Sequence, residues 1–179
     1  NAPFGLALQR GLVNNFSGLH KFGLNTAVGT SFETIWDGNN TYTYPSSAGT
    51  ATATSSNTSS DNNGTVEIQG LDSNYDLATE TITITVSSTT VAQIRADYGQ
   101  TLMALYTIPR NYIGYLMQLD VGSSKDLENE IRLITKQISN GNVWNTKTFV
   151  TTRGGFMEKN YIVPLKIEEK TDIELIAKA

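Results

Sequence analysis

The chain of 179 residues contains no cysteine and a single histidine, His20. Zinc and redox-metal sites are built largely from thiolates and imidazoles, so such sites lack their usual ligands here. A small protein without disulfides needs another way to stabilise its fold, and association with other subunits is one. The composition therefore favours synthesis in a reducing cytoplasm followed by assembly.

Charged side chains are also scarce, at 17% of residues, and the 13 basic residues are outnumbered by 17 acidic ones. Proteins that bind nucleic acid cluster Lys and Arg against the phosphates, whereas the basic residues here are scattered. No uninterrupted apolar run approaches membrane-spanning length, and no segment resembles a signal peptide. We expect neither a nucleic-acid partner nor a membrane partner.

The first thirty residues combine many apolar side chains with five glycines. Each interior glycine costs a helix about 0.5–1 kcal/mol relative to alanine, so a long helix is not expected. Burial of a large apolar side chain contributes roughly 1.5–3 kcal/mol, which can offset the ordering entropy of an extended segment. We predict that residues 1–30 form an extended assembly arm on another protein surface; the alternative is an arm folded over its own domain. The predicted contact residues are Phe4, Leu6, Leu8, Leu12, Phe16, Leu19, Phe22 and Leu24.

From residue 31 onward the sequence is typical of short strands separated by turns. Ile82, Ile84 and Val86 alternate with threonines, and Val66 and Ile68 alternate with polar residues, as in half-buried antiparallel strands. The other predicted strands cover residues 32–36, 41–44, 50–54 (weak), 91–96, 101–108, 112–121, 156–165 and 172–177. Roughly ten short strands predict an all-β domain over residues 31–179, of the β-sandwich or jelly-roll-like type.

Residues 126–138 fit two patterns. Apolar side chains such as Ile131 and Ile134 recur at helical spacing, which would predict a helix. The pair Asn140-Gly141 is a strong tight-turn signal, and residues 143–150 resemble a strand. We predict a hairpin, because one turn then explains both halves.

The sequence offers no constellation of acid, base and nucleophile. His20 lies in the glycine-rich arm, which by itself cannot hold an imidazole against a nucleophile. The carboxylates Glu128 and Glu130, like Glu168 and Glu169, are neighbours in sequence, whereas glycoside hydrolysis needs two carboxylates facing each other across a sugar. We predict a protein that is not an enzyme and that uses no cofactor.

Two acidic segments resemble the beginning of a calcium loop. Asp72, Asn74 and Asp76 place oxygens at alternate positions, but Leu77 and Thr83 stand where a glycine and a bidentate glutamate are needed. The second segment, residues 61–64, fits a turn equally well. We favour turns at both places.

Several aromatic residues offer the material for a sugar-binding platform. Aromatic residues in strands more often pack in a core or an interface, so a carbohydrate-binding module is the alternative hypothesis rather than the first. The residues concerned are Trp36, Tyr42, Tyr44, Trp144 and Tyr161.

Seven stretches after the arm contain strand and turn residues that together match one family. They are FETIWD (32–37), YTYPSSAG (42–49), VEIQGLDSNYD (66–76), ETIT (80–83), QTLMALYTIP (100–109), GYLMQ (114–118) and EKTDIE (169–174). In these stretches the chain resembles a family of virion structural proteins of tailed bacteriophages, common among marine and cyanobacterial phages. Members of the family tend to carry a longer strand-rich insertion between the positions of Ile84 and Val91.

The resemblance implies a virion component with a β-sandwich fold, first of all a capsid decoration (cement) protein that stabilises the head shell. It implies the major capsid protein or other virion subunits as partners, a homo-oligomer, and a final location in the virion after assembly in the cytoplasm of the host bacterium. The alternative is a tail, neck or fibre component that binds host carbohydrate.

Overall fold

The computed structural model describes residues 3–47, 49, 54–55, 64–83, 85–86 and 101–179. Within these ranges the chain is all-β apart from one short helix, α1 (Phe4–Gln9). The strands are β1 (Glu33–Thr34), β2 (Thr54–Ser55), β3 (Thr65–Leu71), β4 (Leu77–Thr83), β5 (Thr85–Val86), β6 (Leu105–Thr107), β7 (Gly114–Gln137), β8 (Trp144–Ile167) and β9 (Thr171–Lys178). The all-β prediction is confirmed, and the jelly-roll arrangement stays a prediction.

The main sheet is built around β7 and β8, each 24 residues long, which pair antiparallel. β9 pairs with the second part of β7, and β1 and β6 pair with the other edge of β9. Gly141 and Asn142 adopt φ values of 72° and 58° in the turn between β7 and β8. This left-handed backbone reverses the chain tightly, and glycine and asparagine adopt it most readily. The hairpin predicted from Asn140-Gly141 is therefore confirmed.

A bulge interrupts the hairpin near its middle. The pairing register shifts between Ser123 and Glu128 of β7, so that four residues of β7 face the single Gly154 of β8. Gly154 and Gly155 have φ values of 67° and 71°, a conformation that costs other residues energy. The bulge bends both strands at the same place.

The bend brings the open end of the hairpin back beside the end that carries the turn. Gly114 at the start of β7 pairs with Ile167, whereas Gln137 at its end pairs with Thr171. Only three residues of chain separate Ile167 from Thr171, so the two ends of β7 lie close together. The hairpin is folded in half.

The folded hairpin forms two layers with a core between them. The front layer consists of residues 114–123 and 155–167; the back layer consists of residues 128–137 and 144–153 together with β1, β6 and β9. Alternate residues of both layers point inward, as in a β-sandwich. The core residues are Leu119, Val121, Ile131, Val150 and Ala177. The architecture is thus sandwich-like.

A smaller hairpin, β3–β4, pairs Thr65–Leu71 with Leu77–Thr83. In its turn, Oδ1 of Asp72 accepts the backbone N–H groups of Asn74 and Asp76 at 2.8 and 2.9 Å. The N–H of Asp76 is the main cause that lowers the pKa of Asp72. Arg110 donates to both carboxylate oxygens of Asp76. The segment is therefore a turn, as favoured above, with its oxygens occupied by protein donors.

Other strand predictions meet mixed outcomes. The strand predicted over residues 41–44 is wrong: Tyr42 donates its N–H to the Thr34 hydroxyl at 2.7 Å instead of to a neighbouring strand. The strand predicted over residues 101–108 is only the three-residue β6. The predictions for residues 91–96, for residues 61–63 and for most of 50–54 lie outside the described residues.

Candidate assembly surface

The arm leaves most of its apolar side chains in water. It begins with α1, a six-residue helix without a buried residue, and contains no other helix and no strand among the described residues 3–30. Leu8 and Leu24 are half-buried. The other predicted contact residues, Phe4, Leu6, Leu12, Phe16, Leu19 and Phe22, are between 46% and 64% exposed.

The last part of the arm is attached to the domain. A Cβ atom added to Gly23 would lie 2.4 Å from the backbone nitrogen of Ala104 and 2.4 Å from the backbone oxygen of Ile35. The Asn25 side chain donates to the carbonyl of Thr34 at 3.1 Å. These contacts hold the arm to the domain from Gly23 onward, and residues 3–22 are here called its detached part.

The detached part touches the front layer at Tyr115. The ring centroids of Phe16 and Tyr115 lie 6.4 Å apart, and Phe4 packs edge-on against Phe16 at 6.3 Å. His20 is exposed and stacks edge-on against Phe22 at 5.5 Å. The arm thus doubles back on itself beside Tyr115.

The outward side of the front layer, here called the front face, has a second exposed apolar group. Between Leu116 and Gln118 the register shifts, and β8 places four residues opposite the single Met117. Ile162 and Val163 in this bulge are 101% and 81% exposed. Such exposure of adjacent large apolar residues is uncommon on a monomer and marks interaction sites.

Sequence reasoning missed this bulge, although a signal was present. Pro164 cannot donate a ladder hydrogen bond, and proline within a strand marks an edge or a bulge. Phe156, 70% exposed, lies farther along the same face opposite Gly122. The front face therefore carries apolar side chains at both ends.

The structure brings four of the five predicted platform aromatics into one row on the outer side of the back layer. The ring centroids of Trp36 and Tyr42 are 5.2 Å apart, those of Tyr42 and Tyr44 5.1 Å, and those of Tyr44 and Trp144 6.0 Å. Tyr161 lies elsewhere, packed against the core. The sequence alone does not show that Trp144 packs beside Tyr44, which lies a hundred positions earlier.

Neighbouring rings of this row pack against one another. Trp36 and Tyr42 meet at 79° and Tyr42 and Tyr44 at 89°, so edges point at faces. The Lys136 ammonium lies 5.3 Å from the Tyr44 centroid and 5.0 Å from that of Trp144. Edge-to-face packing is the geometry of a packed cluster, whereas sugar stacking needs open ring faces. The row fixes residues 36–44 to the back layer.

A buried polar network lies beneath the row. The Thr34 hydroxyl donates to Oε1 of Glu174, and the Tyr44 hydroxyl donates to the carbonyl of Ile173 at 2.7 Å. Nζ of Lys136 lies 3.1 Å from Oδ2 of Asp172. Burial raises the pKa of Glu174 and that of Tyr44 above their ordinary values. These contacts connect elements of the fold to one another.

Two of the four carboxylates considered for catalysis, Glu130 and Glu168, form ion pairs with neighbouring cations. Glu130 forms ion pairs with Arg132 at 2.6 Å and with Lys178 at 3.2 Å, and Glu168 pairs with Lys166 at 2.9 Å. In the described ranges no three His, Asp or Glu side chains converge as a metal-binding group. No helix in the described part of the chain is long and apolar enough to span a membrane.

Comparison with models of protein families, with curated proteins and with solved structures finds no match to this chain. The resemblance to tailed-phage virion proteins therefore stays a prediction.

Proposed function

We propose that this protein is a non-enzymatic assembly subunit of a bacteriophage virion, first of all a decoration protein of the head shell. The observation that supports the proposal is the detached arm, whose large apolar side chains from Phe4 to Phe22 stay about half exposed. Covering such a side chain contributes roughly 1.5–3 kcal/mol, and a protein partner supplies the cover. The major capsid protein and other virion subunits are the proposed partners.

The second support is the free edge of the hairpin. β8 pairs with β7 along one edge, and the described residues offer its other edge no partner strand. An unpaired edge of this length is a template for contact with another chain. Arm and edge together fit a subunit that joins its neighbours in a particle assembled in the host cytoplasm.

The alternative function, a carbohydrate-binding tail or fibre module, gains no specific support from the aromatic row. Trp36, Tyr42 and Tyr44 pack edge to face, and the Lys136 ammonium lies over the rings of Tyr44 and Trp144. A glycan array with Trp36→Ala and Trp144→Ala controls would reveal such a module.

The arm proposal is tested by deletion of residues 1–21, which removes the detached part and keeps the close fit at Gly23. We expect the truncated protein to keep its β circular-dichroism spectrum and thermal midpoint, and to lose association with particles that lack the natural protein. The matched control keeps the arm and replaces Gln9 and Asn14 by serine, which leaves its apolar residues in place. Normal particle binding by the truncated protein would contradict the proposal.

A further inference from the structure

The front face carries two carboxylates directly opposite each other. Asp120 of β7 and Glu158 of β8 are register partners, and both are exposed. Leu119 and Val121, on either side of Asp120, point into the core, so Asp120 points outward. Like charges directly opposite each other in an antiparallel pair destabilise the sheet. An added cation at this place would relieve that repulsion.

The described residues supply no cation to this pair. The ion pairs among them involve five other carboxylates, and none reaches Asp120 or Glu158. The neighbouring groups are amides: Gln118 donates to both oxygens of Asp120 at 2.9 and 3.0 Å, and Asn160 donates to Glu158 at 2.5 Å. The carboxylates lie between Phe156 and the bulge that contains Ile162.

The arm has the complementary chemistry. No acidic residue precedes Glu33, and the detached part carries the cations Arg10 and Lys21 among its exposed leucines and phenylalanines. An apolar, basic segment thus matches an apolar, acidic face.

The distance from Phe16 to Arg10 along the arm also matches the distance from Tyr115 to Asp120 along the front face. Phe16 already touches Tyr115, and Asp120 lies five residues farther along β7, roughly 17 Å in a strand. Arg10 precedes Phe16 by six residues, roughly 20 Å of extended chain. In the single chain the arm is not extended towards Asp120, because it turns back at α1 and Phe4 packs against Phe16.

Extension of the arm from Phe16 to Arg10 requires the turns between these residues to open, whereas α1 ends at Gln9 and need not unwind. Gly11 and Asn15 have positive φ in these turns, and no residue from Arg10 to Phe16 is buried. Little free energy therefore opposes the extended form.

We propose that the front face of one copy receives the arm of a second copy, in a reciprocal exchange. Phe16 of each arm would lie at Tyr115 of the other copy, Arg10 between Asp120 and Glu158, and the residues between them against Ile162 and Val163. This inference rests on the proposed assembly function and names the partner surface of the arm.

The exposed area suffices for a stable pair. At roughly 200 Å² for each large apolar residue, the six arm side chains and the five on the front face expose on the order of 1,300 Å² per copy. Cover of half that surface in two exchanged arms would bury about 1,300 Å² in total, within the range of specific interfaces. The face residues are Tyr115, Met117, Phe156, Ile162 and Val163.

The test uses two full-length charge variants, both altered at exposed positions. The arm variant is Arg10→Glu, and the face variant is Asp120→Lys with Glu158→Lys. We expect the natural chain to be a dimer by sedimentation. In either variant alone, repulsion should raise the dimer dissociation constant by roughly tenfold or more. An equimolar mixture should form a heterodimer, since both of its arm–face contacts pair opposite charges.

Circular-dichroism spectra of both variants check that they fold. A natural chain that stays monomeric at all concentrations would overturn the proposal, and so would a mixture that forms no heterodimer, which is the result expected of an arm that covers its own face. The deletion of residues 1–21 can abolish particle binding while the two charge variants form no heterodimer. That pair of results would support the assembly function and refute only the front face as the partner surface.

Discussion

Glu174 on β9 is 3% exposed, the least of the described carboxylates. It accepts a hydrogen bond from the Thr34 hydroxyl, and Lys136 lies close enough to stabilise its charge. Burial outweighs both effects and raises its pKa. The folded state therefore favours the protonated form, and this contribution to stability is present at low pH and lost as the pH rises through the raised pKa.

We predict that Glu174→Gln stabilises the fold relative to the natural chain, and that the gain grows as the pH rises. Glutamine keeps an acceptor for Thr34 and carries no charge to desolvate at any pH. Urea denaturation at about pH 4.5 and pH 7.5 measures the difference. Glu128→Gln, an exposed site on β7, is the control. An equal difference at both pH values would show that ionisation of Glu174 is not the cause.

At the scale of elements, the β7–β8 hairpin is the largest unit of the fold, and the bend at Gly154 and Gly155 determines its shape. Both glycines have positive φ, and a Cβ atom on Gly154 would lie 3.4 Å from the carbonyl oxygen of Lys125. For a residue with a Cβ atom, this backbone conformation is about 1–2 kcal/mol less favourable. The bend, and hence the contact between the two layers, depends on these positions.

We predict that Gly154→Ala and Gly155→Ala each lower the free energy of unfolding by about 1 kcal/mol, measured by urea denaturation. The matched control is Gly122→Ala on the facing strand, where φ is not positive and the nearest atom to the added Cβ lies 3.5 Å away. That control should stay within about 0.5 kcal/mol of the natural chain. Equal losses at all three positions would mean that backbone conformation is not the cause.

The elements also show how far the sequence predicts this fold. Alternation and the Asn140-Gly141 turn predicted the hairpin, because both signals are local. The bend was not predicted, since each half of β7 resembles an independent strand. α1 was not predicted either, because Gly5 and Gly11 lie within and just after it. The charge match between arm and front face depends on which residues of two strands lie opposite each other, and a single strand's pattern does not contain that information.

At the scale of the whole molecule, the two-layer domain and the detached arm differ in their access to water. Arg10 and Lys21 belong to a segment without strands, whereas Lys147 and Lys159 belong to β8. A protease needs several residues of locally unfolded backbone, which the arm supplies without disturbing the core.

We predict that trypsin cleaves the natural protein after Arg10 at least tenfold faster than after Lys147 and Lys159, since the latter require strand opening. Mass spectrometry of a time course measures the three rates, and the same digestion after unfolding in urea serves as the control for intrinsic site preference. Comparable rates in the folded protein would contradict the separation into arm and domain.

The central position of β9 has a consequence for the order in which the chain folds. Among the strands of the described residues, β1 and β6 pair only with β9, and the hydrogen bond between Thr34 and Glu174 links residues 140 positions apart. Such distant contacts form slowly, and during translation they cannot form before the last partner has left the ribosome. The β7–β8 hairpin can close earlier from its turn, whereas the back sheet is completed only when β9 emerges, in one late step.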